Sequence, residues 1–461
     1  MKKMKTGLIV LAVLLALGLG AMAGGYYWYR QNHVKVNGTV YDIHVAEVDL
    51  RGQTTTARQY EDLRAALPDA VIRWNVPFQD AVLPDDTQEL TVDRMTPEDV
   101  DQLRYFPKLT LIKAPQCRDY EALTELEQRY PDCRVEFEIH IGEQSLPRDT
   151  ASLNLGAGEG TAQELQAAFQ YLPGLSQVEL TDPAIPASEL YALQEAYPNV
   201  TMTWTKDFMG KTYSMEETML DLSETKPESV EAVEAFAAYF PNLEQLDMVE
   251  CGFENEEMAA FRDRVRDQYK VVWGVQVGKA YLRTDVTHFM PGQMNKRVRN
   301  EDTYNLRYCE DLIAVDFGHI GVSNLEWVVG TPHIKYLILG DGNVFNQDIV
   351  PIGTLKELEW LEIFNSPVTD VSPLVGCTSL KDLLLSGSYI DVTPLGEMPW
   401  LENIWMLHSG VDGKDITYLH EHLPNTHLEV NDSKDAHSHG WRHLPRYFEM
   451  RDAFEMWYME G

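Results

Sequence analysis

Histidines near the carboxyl end of the chain come nearest, by type and spacing, to a chemical site. They form two groups, namely His420, His422 and His427, then His437, His439 and His443. A His-x-His pair can coordinate a metal ion. No His-Glu-x-x-His or comparable ligand spacing accompanies it, and the segment has the composition of a loop. We therefore predict no metal site, and a metal-dependent envelope enzyme built on these histidines remains only an alternative hypothesis.

A glycine-rich stretch at residues 153–161 reads Leu-Asn-Leu-Gly-Ala-Gly-Glu-Gly-Thr. It places glycines between a predicted strand and a predicted helix, as a phosphate-binding loop would. No lysine follows, and Glu159 would repel a phosphate group. The stretch therefore predicts an ordinary turn.

Other catalytic patterns are incomplete. Asp341, Asn343, Asn346 and Asp348 offer clustered oxygen ligands, but their spacing is not that of an EF-hand loop. Residues 321–324, Gly-Val-Ser-Asn, lack the closing glycine of a Gly-x-Ser-x-Gly nucleophile turn. We predict that the chain is not an enzyme and needs no cofactor.

The cysteines favour a structural role. The chain has five of them, an odd number, and no pair has the spacing Cys-x-x-Cys; they are Cys117, Cys133, Cys251, Cys309 and Cys377. In so long a chain this is not a disulfide framework or a zinc site. We predict small, buried side chains.

A repeated pattern predicts the elements that position the rest. From residue 306 the motif Leu-x-x-Leu-x-Leu recurs, and each occurrence predicts one short strand with its apolar residues pointing inward. The motifs start at Leu312, Ile334, Leu358, Leu380 and Leu401, and Leu428 and Val430 belong to a sixth. Successive starts are 22, 24, 22 and 21 residues apart. This period is that of one coil of a solenoid, which buries its apolar face against its neighbours.

The segments between these strands identify a resemblance. Residues 368–374, Val-Thr-Asp-Val-Ser-Pro-Leu, and residues 390–395, Ile-Asp-Val-Thr-Pro-Leu, resemble the 22-residue repeats of internalin-like bacterial surface proteins. The resemblance covers about residues 306–430. It implies a curved solenoid with parallel strands that is used for protein recognition, and it identifies no particular ligand.

The upstream half repeats on a longer period. Tyr105, Tyr171 and Tyr239 each open an aromatic-Pro motif, 66 and 68 residues apart, and Tyr308 follows 69 residues later. A capping box at residues 161–164, Thr-Ala-Gln-Glu, opens one of the helices between these markers. We interpret residues 31–282 as degenerate leucine-rich-repeat-like modules of about 67 residues, each with two irregular strand-helix coils.

Two further segments flank the regular repeats. Residues 283–305, with a Pro-Gly pair and a basic Lys-Arg-Val-Arg run, are the best candidate for a junction loop. Residues 431–461 pass from a polar stretch into an aromatic-rich end. A solenoid has to cover its last coil, so we predict that these residues form a C-terminal cap.

One surface of the regular repeats is unusually apolar. The x residues of the motif point out of the concave sheet, and they include Tyr336, Ile338, Trp360, Glu362, Leu384 and Trp405. Large aromatic side chains carry much of the binding energy at protein interfaces. We predict that these six residues form a ligand-binding face. The alternative is that the C-terminal tail or a second chain covers them.

The first residues predict export. Three lysines precede an uncharged run over residues 6–29, whose apolar centre is residues 8–19. Residues 21–23, Ala-Met-Ala, resemble a signal-peptide cleavage site, whereas residues 26–30, Tyr-Tyr-Trp-Tyr-Arg, resemble the aromatic belt of a membrane span. We favour a single-pass anchor over residues 1–30, with secretion after cleavage as the alternative. Either way the positive-inside rule puts the rest of the chain outside the cytoplasm.

These observations predict an α/β chain: an open leucine-rich-repeat solenoid with parallel strands, irregular helix-containing modules in its N-terminal half and one N-terminal membrane helix. A formal charge of −34 argues against nucleic acid as a partner. We expect protein-protein recognition or adhesion at the bacterial cell membrane through the concave face. A self-associating envelope scaffold, and hence a homo-oligomer, is the second hypothesis.

Overall fold

The computed structural model describes residues 2–292, 297–430 and 440–456, without the side chains of residues 2–13 and 16. The chain forms two compact units, residues 1–204 and 205–461. The α-helices of unit 1 are α1 (Lys2–Asn32), α2 (Ala57–Ala66), α3 (Pro97–Gln102), α4 (Tyr120–Arg129), α5 (Ala162–Tyr171) and α6 (Ala187–Ala196). Those of unit 2 are α7 (Val230–Ala237), α8 (Asn255–Val265), α9 (Gly413–His422) and α10 (Pro445–Ala453).

Unit 1 is built from short strands. They are β1 (His33–Val36), β2 (Thr39–Asp42), β3 (Glu47–Asp49), β4 (Val71–Arg73), β5 (Asn75–Phe78), β6 (Ala81–Pro84), β7 (Glu89–Thr91), β8 (Leu111–Ala114), β9 (Arg134–Phe137), β10 (Ile139–Ile141), β11 (Gln144–Leu146), β12 (Ser152–Leu155), β13 (Gln177–Thr181) and β14 (Thr201–Phe208), which ends in unit 2. The strand groups β3-β4, β7-β8-β9 and β12-β13 are parallel, and helices connect the strands within each group.

Antiparallel hairpins interrupt these parallel groups and were not predicted. In unit 1 they are β1-β2, β5-β6 and β10-β11. The turn of the first consists of Asn37 and Gly38, with φ of 52° and 86°. Two successive positive φ values belong to the type I′ turn, whose twist matches that of paired strands, and Asn-Gly is its preferred sequence. The Asn-Gly pair was therefore a sequence signal for the first hairpin.

Helix starts in unit 1 follow from local hydrogen bonds. The predicted capping box is confirmed at α5, where the Glu164 amide donates to Thr161 Oγ1 at 3.2 Å and the Thr161 amide donates to Glu164 Oε2 at 3.0 Å. Thr96 and Asp99 form the equivalent pair at α3. Each box satisfies amides that have no partner within the first helical turn.

Helix α1 includes the segment that was predicted to be a membrane span. The structure does not describe the side chains of residues 8–13 and 16, which make up most of its apolar centre. From Leu14 to Tyr29 the described apolar and aromatic side chains are exposed. Among the described residues we find no helix that combines the length and the apolar character needed to cross a membrane.

Unit 2 begins with the same kind of elements as unit 1. Its strands are β15 (Lys211–Ser214), β16 (Met219–Asp221), β17 (Gln245–Asp247), β18 (Lys270–Val272), β19 (Gly274–Val277), β20 (Ala280–Arg283), β21 (His288–Phe289), β22 (Ala314–Asp316), β23 (Tyr336–Ile338), β24 (Trp360–Glu362), β25 (Asp382–Leu384), β26 (Asn403–Trp405) and β27 (His427–Glu429). Strands β16 to β18 are parallel, and β19-β20 is another hairpin. The predicted junction loop contains β21 and most of a 3-10 helix at Asn300–Tyr308.

A seven-stranded parallel ladder from β21 to β27 forms the regular repeats. Backbone pairing brings the middle residues Val315, Leu337, Leu361, Leu383, Ile404 and Leu428 into one inward column. The four central members of this column are fully buried. One apolar residue per coil thus stacks on the next, which is how a solenoid builds a continuous core. The predicted leucine-rich-repeat strands are confirmed by this ladder.

The Asp-x-x-Pro-Leu segments turn the chain from one strand to the next. Ser372–Gly376 and Thr393–Glu397 are 3-10 helices with proline in the first turn. The Ser372 amide donates to Asp370 Oδ1 at 2.8 Å, and the Thr393 amide donates to Asp391 Oδ1 at 2.9 Å. The aspartate thus caps the turn, proline supplies its fixed φ, and the leucine enters the core.

Truncation of a buried side chain in the inward column should destabilise the ladder. We expect Leu361→Ala to lower the free energy of unfolding of unit 2 by roughly 3 kcal/mol, because it leaves a cavity in the inward column. Val350→Ala removes an exposed side chain of the same unit and should change it by less than about 0.5 kcal/mol. Urea midpoints of the full chain measure both. Equal midpoints for the two variants would contradict the assignment of the inward column.

Candidate binding face of the regular repeats

Strand pairing lines up two further columns on the side of the ladder that faces away from the core. The first column is Ala314, Tyr336, Trp360, Asp382, Asn403 and His427, and the second is Asp316, Ile338, Glu362, Leu384, Trp405 and Glu429. We call these twelve residues the sheet face. Side chains alternate along a strand, so the first and third residues of each three-residue strand share this face. The six predicted site residues all lie on it.

The structure does not leave the predicted site residues exposed. Tyr336, Trp360, Glu362, Leu384 and Trp405 are all buried, with Trp360 fully so. Residues 440–456, here called the C-terminal segment, lie across them. The expectation of an open face is therefore corrected, and the covering by the C-terminal tail that the sequence left open is what the structure has. The segment that was predicted to cover the last coil as a cap lies across the sheet face, where it removes large apolar groups from water.

An aromatic cluster forms the centre of this contact. The Trp360 ring lies 6.0 Å from the Trp441 ring and 6.2 Å from the Tyr447 ring, measured between centroids. Trp441 and Tyr447 are themselves 5.4 Å apart in an edge-to-face arrangement. Such geometries place positive ring edges against negative ring faces. The three rings form one packed unit across the sheet face.

Helix α10 presents one apolar stripe to the sheet face. Leu444, Tyr447, Met450 and Phe454 are spaced by three or four residues and pack in the same cluster as Trp360, with Met450 and Phe454 almost fully buried. This spacing puts them on one side of a helix. Phe448, which lies outside this stripe, is about half exposed. The C-terminal segment is thus an amphipathic helix bound to the sheet.

An arginine fixes the register of the segment. Arg446 makes a charged hydrogen bond to Asp382, whose side chain is fully buried, and donates to Glu402 Oε2 at 3.0 Å. Its Nε lies 4.0 Å from Glu359 Oε2. Asn403 Nδ2 donates to the other Asp382 oxygen at 2.7 Å. Burial raises the pKa of Asp382, and the Arg446 guanidinium opposes that rise.

Glu362 is a second buried carboxyl of the sheet face, and its hydrogen bond comes from a tryptophan. Glu362 Oε1 accepts a hydrogen bond of 2.9 Å from Trp360 Nε1. Burial raises the pKa of Glu362 to about 7; Trp360 lowers it, the charge of Asp316 raises it, and Arg442 lowers it. Burial also raises the pKa of Asp316. The covered face therefore favours the protonated form of Glu362.

The other candidate sites have structural explanations. In the glycine-rich turn, Gly158 and Gly160 have φ of 70° and 76°, and the Gly156 amide donates to Glu159 Oε2 at 2.9 Å. The Glu159 carboxylate thus binds the amide at which a phosphate would be held. The predicted ordinary turn accounts for this stretch.

The oxygen cluster beginning at Asp341 is used within the repeats. Asp341 accepts from Asn365 Nδ2 at 2.6 Å and pairs with His319 Nδ1 at 2.7 Å. Asp348 accepts the Phe345 amide, and Asn346 Oδ1 accepts the Thr369 amide. These groups satisfy turn amides between coils.

Histidines and cysteines show no metal geometry among the described residues. No group of three or more potential ligands is found there. His437 and His439 lie outside the described residues, whereas His420 and His443 are exposed. All five cysteines are free and buried. Burial raises the pKa of the Cys377 thiol to about 11, so this thiol is unreactive at neutral pH.

The attachment of the C-terminal segment should depend on pH. Burial raises the pKa of Glu362 from 4.5 to about 7. We expect this pKa to return towards 4.5 when the segment leaves, so that the covered state holds a proton that the uncovered state loses between these values. The stability of the covering is complete below pH 4.5 and falls by up to ~3 kcal/mol as pH rises through 7. Burial also raises the pKa values of Asp316 and Asp382.

We expect amide protection factors of residues 441–454 to be lower at pH 8.5 than at pH 5.5. Glu362→Gln has no proton to lose and should remove most of this difference. Glu397→Gln, at an exposed position in the next coil, is the control. An unchanged pH dependence in Glu362→Gln would refute the role of this carboxyl.

The aromatic cluster predicts which side of α10 holds the segment. Tyr447→Ala removes the ring that contacts both tryptophans and should destabilise the covering by roughly 2 kcal/mol. Phe448→Ala, its neighbour on the exposed side, should cost less than about 0.5 kcal/mol. Hydrogen exchange of residues 441–454 gives both values. Similar losses for the two variants would show that α10 does not bind through its apolar stripe.

Comparisons with known proteins identify leucine-rich-repeat structures. No protein-family model matches the sequence, and no curated protein sequence is significantly similar to it. Among solved structures, it is similar to internalin C2 of Listeria monocytogenes, with 20% identity over 50% of this chain and 71% of that chain and a TM-score of 0.20.

Two further solved structures resemble the chain over more of its length. An internalin, InlF, of Listeria monocytogenes is 13% identical over 82% of this chain and 91% of its own, with a TM-score of 0.24. A leucine-rich-repeat protein of Leptospira interrogans is 13% identical over 74% and 82%, with a TM-score of 0.23. These solved structures are internalins and a leucine-rich-repeat protein, the class of protein that the sequence resembles. With such low TM-scores, assignment of the fold rests on the ladder β21 to β27.

Proposed function

We propose that the chain is a protein-recognition protein of the bacterial cell envelope that binds its partner through the sheet face. One observation carries the proposal: the sheet face already holds an amphipathic helix, through packed aromatic rings and a buried ion pair. Buried aromatic and arginine contacts of this kind dominate protein interfaces. A surface that binds one helix in this way has the chemistry to bind another.

The charge of the chain supports a basic partner. Lys and Arg number 38 against 72 Asp and Glu, and the carboxylates Glu359 and Glu402 lie beside the sheet face. An acidic surface attracts basic proteins and speeds their association. It repels nucleic acids and anionic lipid headgroups. We therefore propose a protein ligand.

We also propose that the N-terminal segment anchors the chain in the cell membrane, with the rest outside the cytoplasm. The exposed aromatic side chains of residues 26–29 support this, because such residues favour the membrane interface. The lysines at the start of the chain support the orientation. Removal of the segment by cleavage, which would make the protein secreted, is the alternative.

Self-association is the second candidate function. The sheet face accepts a segment of this same chain, so a second copy carries a matching segment. Exchange of such a segment between copies is a known route to dimers. This would make the protein an envelope scaffold.

Capture experiments with the full chain in detergent test the proposal. The double variant Arg446→Ala, Tyr447→Ala, here called the opened variant, should release the C-terminal segment and bind an envelope or host protein at least tenfold more than the wild type. Adding Leu384→Glu, which places a charge on the sheet face, should abolish the binding. Adding Val350→Glu, on an exposed 3-10 helix, should not.

Three outcomes would decide against parts of the proposal. If all variants capture the same proteins, or if none captures any, recognition by the sheet face is refuted. A concentration-dependent dimer in light scattering, lost with Leu384→Glu, would favour the scaffold. Full-length chain that leaves the membrane on carbonate washing would refute the anchor.

A further inference from the structure

We infer that the partner of the sheet face is an amphipathic helix with an arginine beside its apolar stripe, and that the C-terminal segment is its built-in competitor. This inference rests on the proposed function and adds the class of ligand. It also assigns a regulatory role to residues 440–456, since a partner has to displace them.

The apolar register of the ligand follows from the spacing on α10. Leu444, Tyr447, Met450 and Phe454 meet the two columns of the sheet face at intervals of three, three and four residues. Neighbouring parallel strands are about 4.8 Å apart, and one helical turn rises about 5.4 Å. A helix that runs across the strands therefore presents about one side chain per strand. A β-strand or an irregular loop would not match this spacing.

The charged contact further restricts which helices can bind. Carboxylates from three successive repeats, Glu359, Asp382 and Glu402, surround the Arg446 guanidinium. Guanidinium is planar and has five donors, so it can serve several carboxylates at once, whereas a lysine is a single compact charge. Asp382 lies under the segment without water contact. The sheet face therefore selects arginine over lysine at this position.

The internal contact leaves part of the C-terminal segment open to solvent. Trp441 and Tyr447, which meet Trp360, keep partial exposure, whereas Met450 and Phe454 are almost fully buried. The segment is short, and its attachment to the same chain gives it the effective concentration of a tethered ligand. The apparent affinity for an external helix is its intrinsic affinity multiplied by the fraction of time that the face is uncovered. Weakening the tethered helix should then raise the apparent affinity for the external one.

A peptide of residues 440–456 with a fluorescent label serves as the probe, and the protein is the full chain in detergent. We expect the opened variant to bind the peptide at least tenfold more tightly than the wild type. Peptides with Arg446→Ala or Arg446→Lys should bind at least tenfold more weakly, and a peptide with Phe448→Ala should bind as well as the unchanged one. Circular dichroism confirms that each protein variant is folded.

A double-mutant cycle separates direct pairing from a general loss of charge. Adding Asp382→Asn to the opened variant should remove most of the difference between the Arg446 and Arg446→Ala peptides. Equal binding of the arginine and lysine peptides, or a difference that persists with Asp382→Asn, would overturn the inference. If the arginine test fails in this way but Leu384→Glu still abolishes peptide binding, the sheet face remains a binding surface and the proposed function stands. Peptide binding unaffected by Leu384→Glu overturns the inference as well, and capture that is likewise unaffected would refute the proposed function.

Discussion

Alternation along the strands of the regular repeats is the constraint on which the rest of unit 2 depends. Each strand of three residues sends its middle side chain into the core and the other two to the opposite side of the sheet. The inward column, with Leu337, Leu361 and Leu383 at its centre, holds the coils together. The same backbone pairing necessarily stacks Tyr336 on Trp360 on the other side. A core and a second apolar surface thus arise from one register.

The C-terminal segment resolves the problem that this second surface creates. Aromatic rings stacked on an open sheet would be exposed to water, and contiguous apolar patches of this kind promote association. Helix α10 covers them with its own apolar stripe, and Arg446 neutralises the carboxylate that the same face buries. Several side chains of the covering segment keep partial access to water. In the proposed function, covering and recognition use the same surface.

Buried carboxyls make the covering sensitive to its surroundings. Asp382 is buried with an arginine that belongs to the segment, so the pair separates when the segment leaves. Glu362 is buried without such a partner, and burial raises its pKa to about 7. We therefore expect the first group to link the covering to the identity of the helix and the second to link it to pH. Neither effect requires a change in the ladder beneath.

The sequence by itself determined the regular repeats, because their spacing and the Asp-x-x-Pro-Leu turns depend on interactions within one or two coils. It also predicted that the six candidate residues share one face, since alternation along the strands places them there. It did not determine which of two surfaces the aromatic end of the chain would cover. That depends on contacts between residues more than 60 positions apart, such as Arg446 with Asp382. The hairpins were missed for another reason: most of their strands have only three or four residues, too few for a clear alternation, although turns such as those at Gly142 and Gly278 contain a glycine with positive φ. Tertiary structure alone decided that the predicted binding face is occupied, because only the folded chain brings the helix to the sheet.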